Sequence, residues 1–108
     1  MKEINFHPKA LKVISTFSDW VRKELGKALN DLKRGEKLNM PLSKPLKNVA
    51  RGVEELRLKD SAGIYRIFYF TKLKNRILIF HAFTKKTQAT PQKEIQTGQK
   101  RLKELINE

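Results

Sequence analysis

Apolar positions recur at helical spacing at both ends of the chain and alternate like strands between them. Residues 4–6 read as a short opening strand. Pro8 then suits the first turn of a helix, where its missing N–H has no intrahelical partner to lose. Leu11, Ile14 and Phe17 follow at helical spacing. Ser18 offers an N-cap for a second helix, with Asp19 favourably placed at its positive end. Val21, Leu25, Ala28, Leu29 and Leu32 form one apolar stripe, and Gly35 supplies a C-terminal stop. Together these segments predict an α-hairpin, with Trp20 packed near its corner. Over residues 36–52 the periodicity dissolves. Pro41 and Pro45 argue against a regular element there, which predicts a solvated connecting loop pinned by Leu42 and Leu46.

Residues 53–59 alternate, with Leu56 and Leu58 on one side and Glu55, Arg57 and Lys59 on the other. Asp60, Ser61, Ala62 and Gly63 read as a turn. The next strand puts Ile64, Arg66, Phe68 and Phe70 on one face and Tyr65, Ile67 and Tyr69 on the opposite one. After a turn at Lys74 and Asn75, a third strand sends Ile77, Ile79, His81 and Phe83 one way. Arg76, Leu78, Phe80 and Ala82 go the other. Three short antiparallel strands in a meander are the expected result, and both faces carry large apolar groups. Thr90 and Pro91 predict a closing helix, with Thr90 as cap and Pro91 at its first position. Ile95, Leu102, Leu105 and Ile106 line one side of it. The expected architecture is α+β in β-α-α-β-β-β-α order, an N-terminal α-hairpin on a small antiparallel sheet, in one domain spanning residues 1–108.

Charge changes the picture more than length does. The formal net charge is +13, a self-repelling surplus that no fold requires and that points to a polyanionic partner. Nucleic acid, an acidic protein and an anionic membrane surface all meet that description. The chain has no cysteine, which excludes disulfides and thiolate metal sites and fits a reducing compartment. No apolar stretch approaches the roughly 20 residues of a membrane span. The N-terminus lacks the apolar core of a secretory signal, so the cytoplasm is the expected location.

The stretch from Ser61 to Lys93 holds no Asp or Glu, while bases and aromatic rings alternate along it. Metal-assisted phosphate chemistry calls for several oxygen ligands, which this segment lacks, so neither a metal nor another cofactor is expected. Nucleophile motifs and phosphate-binding glycine loops are also absent. Cations, aromatic rings and one imidazole suit RNA, because rings stack on unpaired bases and guanidinium groups grip phosphate oxygens. RNA also carries its own nucleophile, the 2′-hydroxyl beside the scissile phosphate. An enzyme has only to align it, move two protons and neutralise charge. Lys59, Lys72, Lys85, Tyr65 and Tyr69 are candidate RNA contacts.

Three stretches, KALNDLKRGEKL, SKPLKNVARGVEELRLKDSAGIYRIFYF and ILIFHAFTKKTQATPQKEI, fall in order over most of the chain. In these the sequence resembles the RelE/HigB-type toxins of type II toxin–antitoxin systems, in the phage-related branch of the RelE/ParE superfamily. The resemblance implies a RelE-like fold and a metal-independent endoribonuclease that cuts mRNA on the ribosome and so inhibits translation. It implies a cognate antitoxin, commonly a helix-turn-helix protein, forming a hetero-oligomer with the toxin, and no membrane partner. Arg66 matches the family's strand arginine that holds the phosphate or stabilises the transition state. Arg57 matches a basic position on the preceding strand, and Lys86 falls where a loop base assists the leaving group, with Lys85 beside it. Two features depart from the RelE pattern: Glu55 stands where a second base is expected, and no tyrosine follows Tyr69. Tyr65, Tyr69, His81 and Lys86 are the candidates for proton transfer. A ParE-like gyrase inhibitor and a non-catalytic basic nucleic-acid-binding module are the alternative functions.

Overall fold

The computed structural model describes residues 1–85 and 89–107. Its elements are β1 (Glu3–Phe6), α1 (Pro8–Ile14), α2 (Asp19–Lys33), β2 (Ser43–Pro45), β3 (Val53–Asp60), β4 (Gly63–Phe70), β5 (Arg76–Lys85) and α3 (Gln92–Ile106). The fold is α+β, three helices on a five-stranded mixed sheet of order β1-β5-β4-β3-β2, consistent with a small RelE-like fold.

The helical ends follow local chemistry. Ser18 Oγ accepts from the Val21 N–H at the start of α2. At its end Gly35 takes φ +85°, which lets the Gly35 and Glu36 N–H groups reach back to Leu32 and Asp31 carbonyls. α1 is capped by His7, whose Nδ1 accepts from the Lys9 N–H. Trp20 does not pack at the corner of the hairpin: it lies outside the apolar stripe and is 51% exposed. Phe17 fills that position instead, edge-on to Tyr65 at 4.8 Å between ring centres.

Two strands extend the expected meander. β1 pairs in parallel with β5, Glu3 opposite Arg76 and Phe6 opposite Ile79. β2 lies inside the stretch expected to be an irregular loop and pairs antiparallel with β3, Ser43 opposite Leu56. Pro45 is tolerated because β2 is an edge strand, where a missing N–H breaks no ladder bond.

Both faces of the sheet are covered, by different elements. α1 and α2 pack Ile14, Val21, Leu25, Ala28 and Leu32 against Leu56, Leu58, Tyr65, Ile67, Tyr69, Ile77 and Ile79. On the other face α3 brings Ile95, Leu102 and Leu105 against Phe68, Leu78, Phe80 and Phe83. Ile106 is outside this seam and 44% exposed. The alternation of β5 breaks where Phe68 pairs with His81 but Tyr69 pairs with Ile79, leaving Phe80 as an extra residue. This β-bulge moves His81 and Phe83 onto the α3 face, away from Ile77 and Ile79.

α3 sits close to the sheet at Gly98, where a Cβ would come within 2.9 Å of the Phe68 ring. A branched side chain there would lift the helix, so Gly98→Val is expected to cost about 1–3 kcal/mol in urea unfolding. Wild-type stability in that variant would mean that α3 rides further from Phe68.

Candidate functional site

Registered partners in an antiparallel pair share a face, and the pairing of β3, β4 and β5 lays three rows across the α3 side of the sheet. Lys59, Ile64 and Lys85 form the first row, Arg57, Arg66 and Phe83 the second, and Glu55, Phe68 and His81 the third. Lys44 of β2 extends the third row beside Glu55. Strands are about 4.8 Å apart, so Arg57, Arg66 and Lys85 are near neighbours. α3 covers the third row through Phe68 and His81.

Arg66 is the centre of this arrangement. It is 1% exposed, and its Nη1 donates to Glu55 Oε1 at 2.8 Å. Glu55 Oε2 accepts from the Thr90 hydroxyl at 2.9 Å, and Thr90 Oγ1 accepts from Lys85 Nζ at 3.3 Å. One carboxylate thus ties together two strands and the segment before α3. Arg66 Nε is buried and has no hydrogen-bond partner among the described residues. Such a group costs about 1–3 kcal/mol unless something supplies an acceptor. Burial lowers the proton affinity of the Arg66 guanidinium and the neighbouring Arg57 adds to this, with Glu55 opposing. The guanidinium stays charged.

Lys85 is 6% exposed. Burial draws its pKa below the ordinary lysine range; Arg66, Arg57 and Lys44 push the same way, with Glu55 opposing. Unlike the two guanidiniums beside it, a lysine can give up its proton.

The other candidate contacts divide between the two faces. Tyr65 and Tyr69 turn to the α1–α2 side, opposite Arg66. The Tyr65 hydroxyl lies 3.4 Å from Asp60 Oδ2 and the Tyr69 hydroxyl 2.5 Å from Ser43 Oγ. Burial pushes the Tyr69 phenol up to about 12. Both rings serve the core, so the structure does not bring them to the cationic face. Lys72 is exposed and lines a separate cavity of about 300 Å³ with Lys2, Gly52 and Tyr69, away from Arg66. Lys59 is exposed in the first row, and Lys86 lies outside the described residues.

His81 belongs to the rows, yet both ring nitrogens are engaged by α3. Arg101 Nη1 is 2.9 Å from Nδ1, and a guanidinium can only donate. The ring proton therefore sits on Nε2, which donates to Glu94 Oε1 at 2.9 Å. Burial holds His81 below the usual imidazole range, with Arg101 and His7 adding to the effect and Glu94 opposing it. The folded chain therefore refuses a proton that the unfolded chain accepts, so stability is lost as pH falls through about 6.5 towards the folded value. Between about pH 7.5 and pH 5.5 the thermal midpoint of the wild type is expected to drop further than that of His81→Gln. Parallel curves would show that this imidazole plays no part in acid sensitivity.

Sequence reasoning missed Thr90 and the loop at Pro41 and Leu42 as parts of this region. Thr90 read as a helix cap, but Pro91 occupies the cap position and the Thr90 hydroxyl turns to Glu55 instead. Leu42 reaches the site through its carbonyl, which accepts from the Arg57 N–H at 2.8 Å. No local signal foretells either contact, because each joins residues remote in the chain. Among the described residues no cluster of His, Asp or Glu has metal-ligand spacing, and none of their helices is long and apolar enough to cross a membrane.

Comparison with curated proteins gives no match. The profile of the family described as "Phage derived protein Gp49-like (DUF891)" matches residues 12–103, from within α1 to within α3 and including every strand of the cationic face. The chain belongs to this phage-derived Gp49-like family, a family of RelE/toxin-like proteins.

Proposed function

We propose that this protein is the toxin of a type II toxin–antitoxin pair of the RelE/HigB kind, a metal-independent endoribonuclease that cuts mRNA on the ribosome. The observation that carries the reading is Arg66: a buried guanidinium whose Nε–H has no acceptor among the described residues, beside Arg57 and Lys85 on one sheet face. A phosphate oxygen is the acceptor that such a donor lacks, and the surrounding cations favour its charge. Membership of a toxin-like family supports the same reading.

The chemistry asked of these residues is modest. The 2′-hydroxyl loses its proton and its oxygen bonds to phosphorus. The P–O5′ bond breaks and the departing 5′-oxygen takes a proton, leaving a 2′,3′-cyclic phosphate and a 5′-hydroxyl. Arg57 and Arg66 hold the phosphate and stabilise its developing charge. Lys85, with its lowered proton affinity, is the group on this face suited to moving a proton; Lys86, next in the chain, is the candidate that the family resemblance adds. His81, locked to Glu94 and Arg101, anchors α3 behind them.

A net charge of +13 also supports an antitoxin whose acidic segment covers this face in the cytoplasm. The test is induction of the chain alone, with primer extension on cellular mRNA. Codon-proximal cuts are expected in the wild type and are expected to fall by roughly 100-fold or more in Arg57→Gln and Lys85→Met, the scale of losing one charge-stabilising or proton-transfer group. Intact mRNA with a supercoiling defect would replace this reading with gyrase inhibition.

A further inference from the structure

β2 begins at Ser43, opposite Leu56, so among the described residues no strand lies beside the outer edge of β3 beyond Arg57. The gap is a cleft of about 450 Å³, within the range of about 300–1,000 Å³ usual for small-ligand sites. Its lining has two characters. Pro41, Leu42, Leu58 and Ile64 are apolar, while Arg57, Lys59 and Arg66 are cationic. No acidic residue is among the described residues that line it. The same Arg66 carries the buried Nε–H without a partner among the described residues.

Apolar walls beside converging cations match one chemical class closely, a planar heterocycle joined to a phosphate. A free inorganic anion would use the cations and leave the apolar walls wet. A purely apolar ligand would use the walls and bring no anion to the cations. Two of the walls, Pro41 and Leu42, come from a part of the chain separate from the cationic rows, the segment leading into β2.

We infer that this cleft holds one nucleotide of the bound strand, with its base against Pro41, Leu42 and Ile64 and its phosphate on Arg57 and Arg66. The inference rests on the nuclease reading for its biological setting, but its binding test does not. The Pro41–Leu42 segment then becomes a determinant of which base is accepted, because it forms the wall the base would touch. Lys59, exposed at the rim, pairs with the phosphate of the next nucleotide.

The test uses the purified full chain with adenosine 3′-monophosphate and inorganic phosphate as probes, followed by calorimetry and by amide chemical shifts. The nucleotide is expected to bind about tenfold more tightly than phosphate, a difference of about 1.4 kcal/mol. Shifts are expected to cluster at Leu42, Arg57 and Ile64. Leu42→Ser and, independently, Ile64→Ser are expected to erase the preference while leaving phosphate binding intact, whereas Arg57→Gln weakens both ligands. Equal affinity for the two probes in the wild type, or shifts confined to other surfaces, would overturn the inference without touching mRNA cleavage. A wild type that prefers the nucleotide yet leaves mRNA whole would keep the cleft and retire the nuclease.

Discussion

Arg66→Ala is expected to destabilise the fold by about 3–5 kcal/mol, the cost of leaving one partner of a buried ion pair uncompensated. Glu55 would keep its charge in a site that water scarcely reaches, with only the Thr90 hydroxyl, among the described residues, still donating to it. Loss of activity in that variant alone would therefore be ambiguous. The informative comparison is Glu55→Met with Arg66→Met, which removes both charges and fills the space with similar volume. Replacing a buried pair by apolar residues is commonly neutral or stabilising, so the double variant is expected to recover most of the loss in urea unfolding. Its mRNA cleavage should stay at background. Cleavage at the wild-type level would take Arg66 out of the chemistry and leave it a structural residue. Wild-type stability in Arg66→Ala would mean that the pair is not desolvated as described.

Phe68→Ala is the second large effect, about 3–5 kcal/mol for truncating a fully buried aromatic. The Phe68 ring meets Phe83 at 5.5 Å and His81 at 5.2 Å, both edge-on, and Phe80 at 6.1 Å. It is also the surface on which Gly98 of α3 rests. A fall in thermal midpoint of roughly 15 °C or more is expected from the loss. Because the ring supports α3 and the His81–Glu94 hydrogen bond together, amide exchange should quicken first in α3 and only later in α2. Uniform loss of protection across both helices would show that the two faces of the sheet unfold as one unit.

How much of this could be read beforehand depends on the range of the interaction. The start and stop of α2 were legible, since Ser18 and Gly35 act on their own neighbours. The apolar runs at 64–70 and 77–83 make β4 and most of β5 legible from their β-branched and aromatic composition. Arg66 stood out through its motif, and alternation placed it with Ile64 and Phe68. The partners were harder. Pairing β1 with β5 depends on a register between segments at opposite ends of the chain, and β2 is too short and proline-rich to show a period. The bulge at Phe80 hid the true face of His81, because one inserted residue reverses every later side chain. Glu55 departs from the toxin pattern in plain view, but nothing near it in the chain announces its bonds to Arg66 and Thr90. Lys85 shared a basic turn with Lys86, and only the folded sheet shows it buried beside two arginines.

The parallel pairing of β1 with β5 has a consequence for how the chain is made. The first strand must wait at the edge of an unfinished sheet until one of the last segments emerges, a long-range closure of the kind that folds late. The cationic rows share that dependence, because β5 supplies Lys85. If the target is the translating ribosome, a nascent copy still threaded through the exit tunnel has no complete grip with which to harm the machine producing it, and an antitoxin made alongside has that interval in which to arrive.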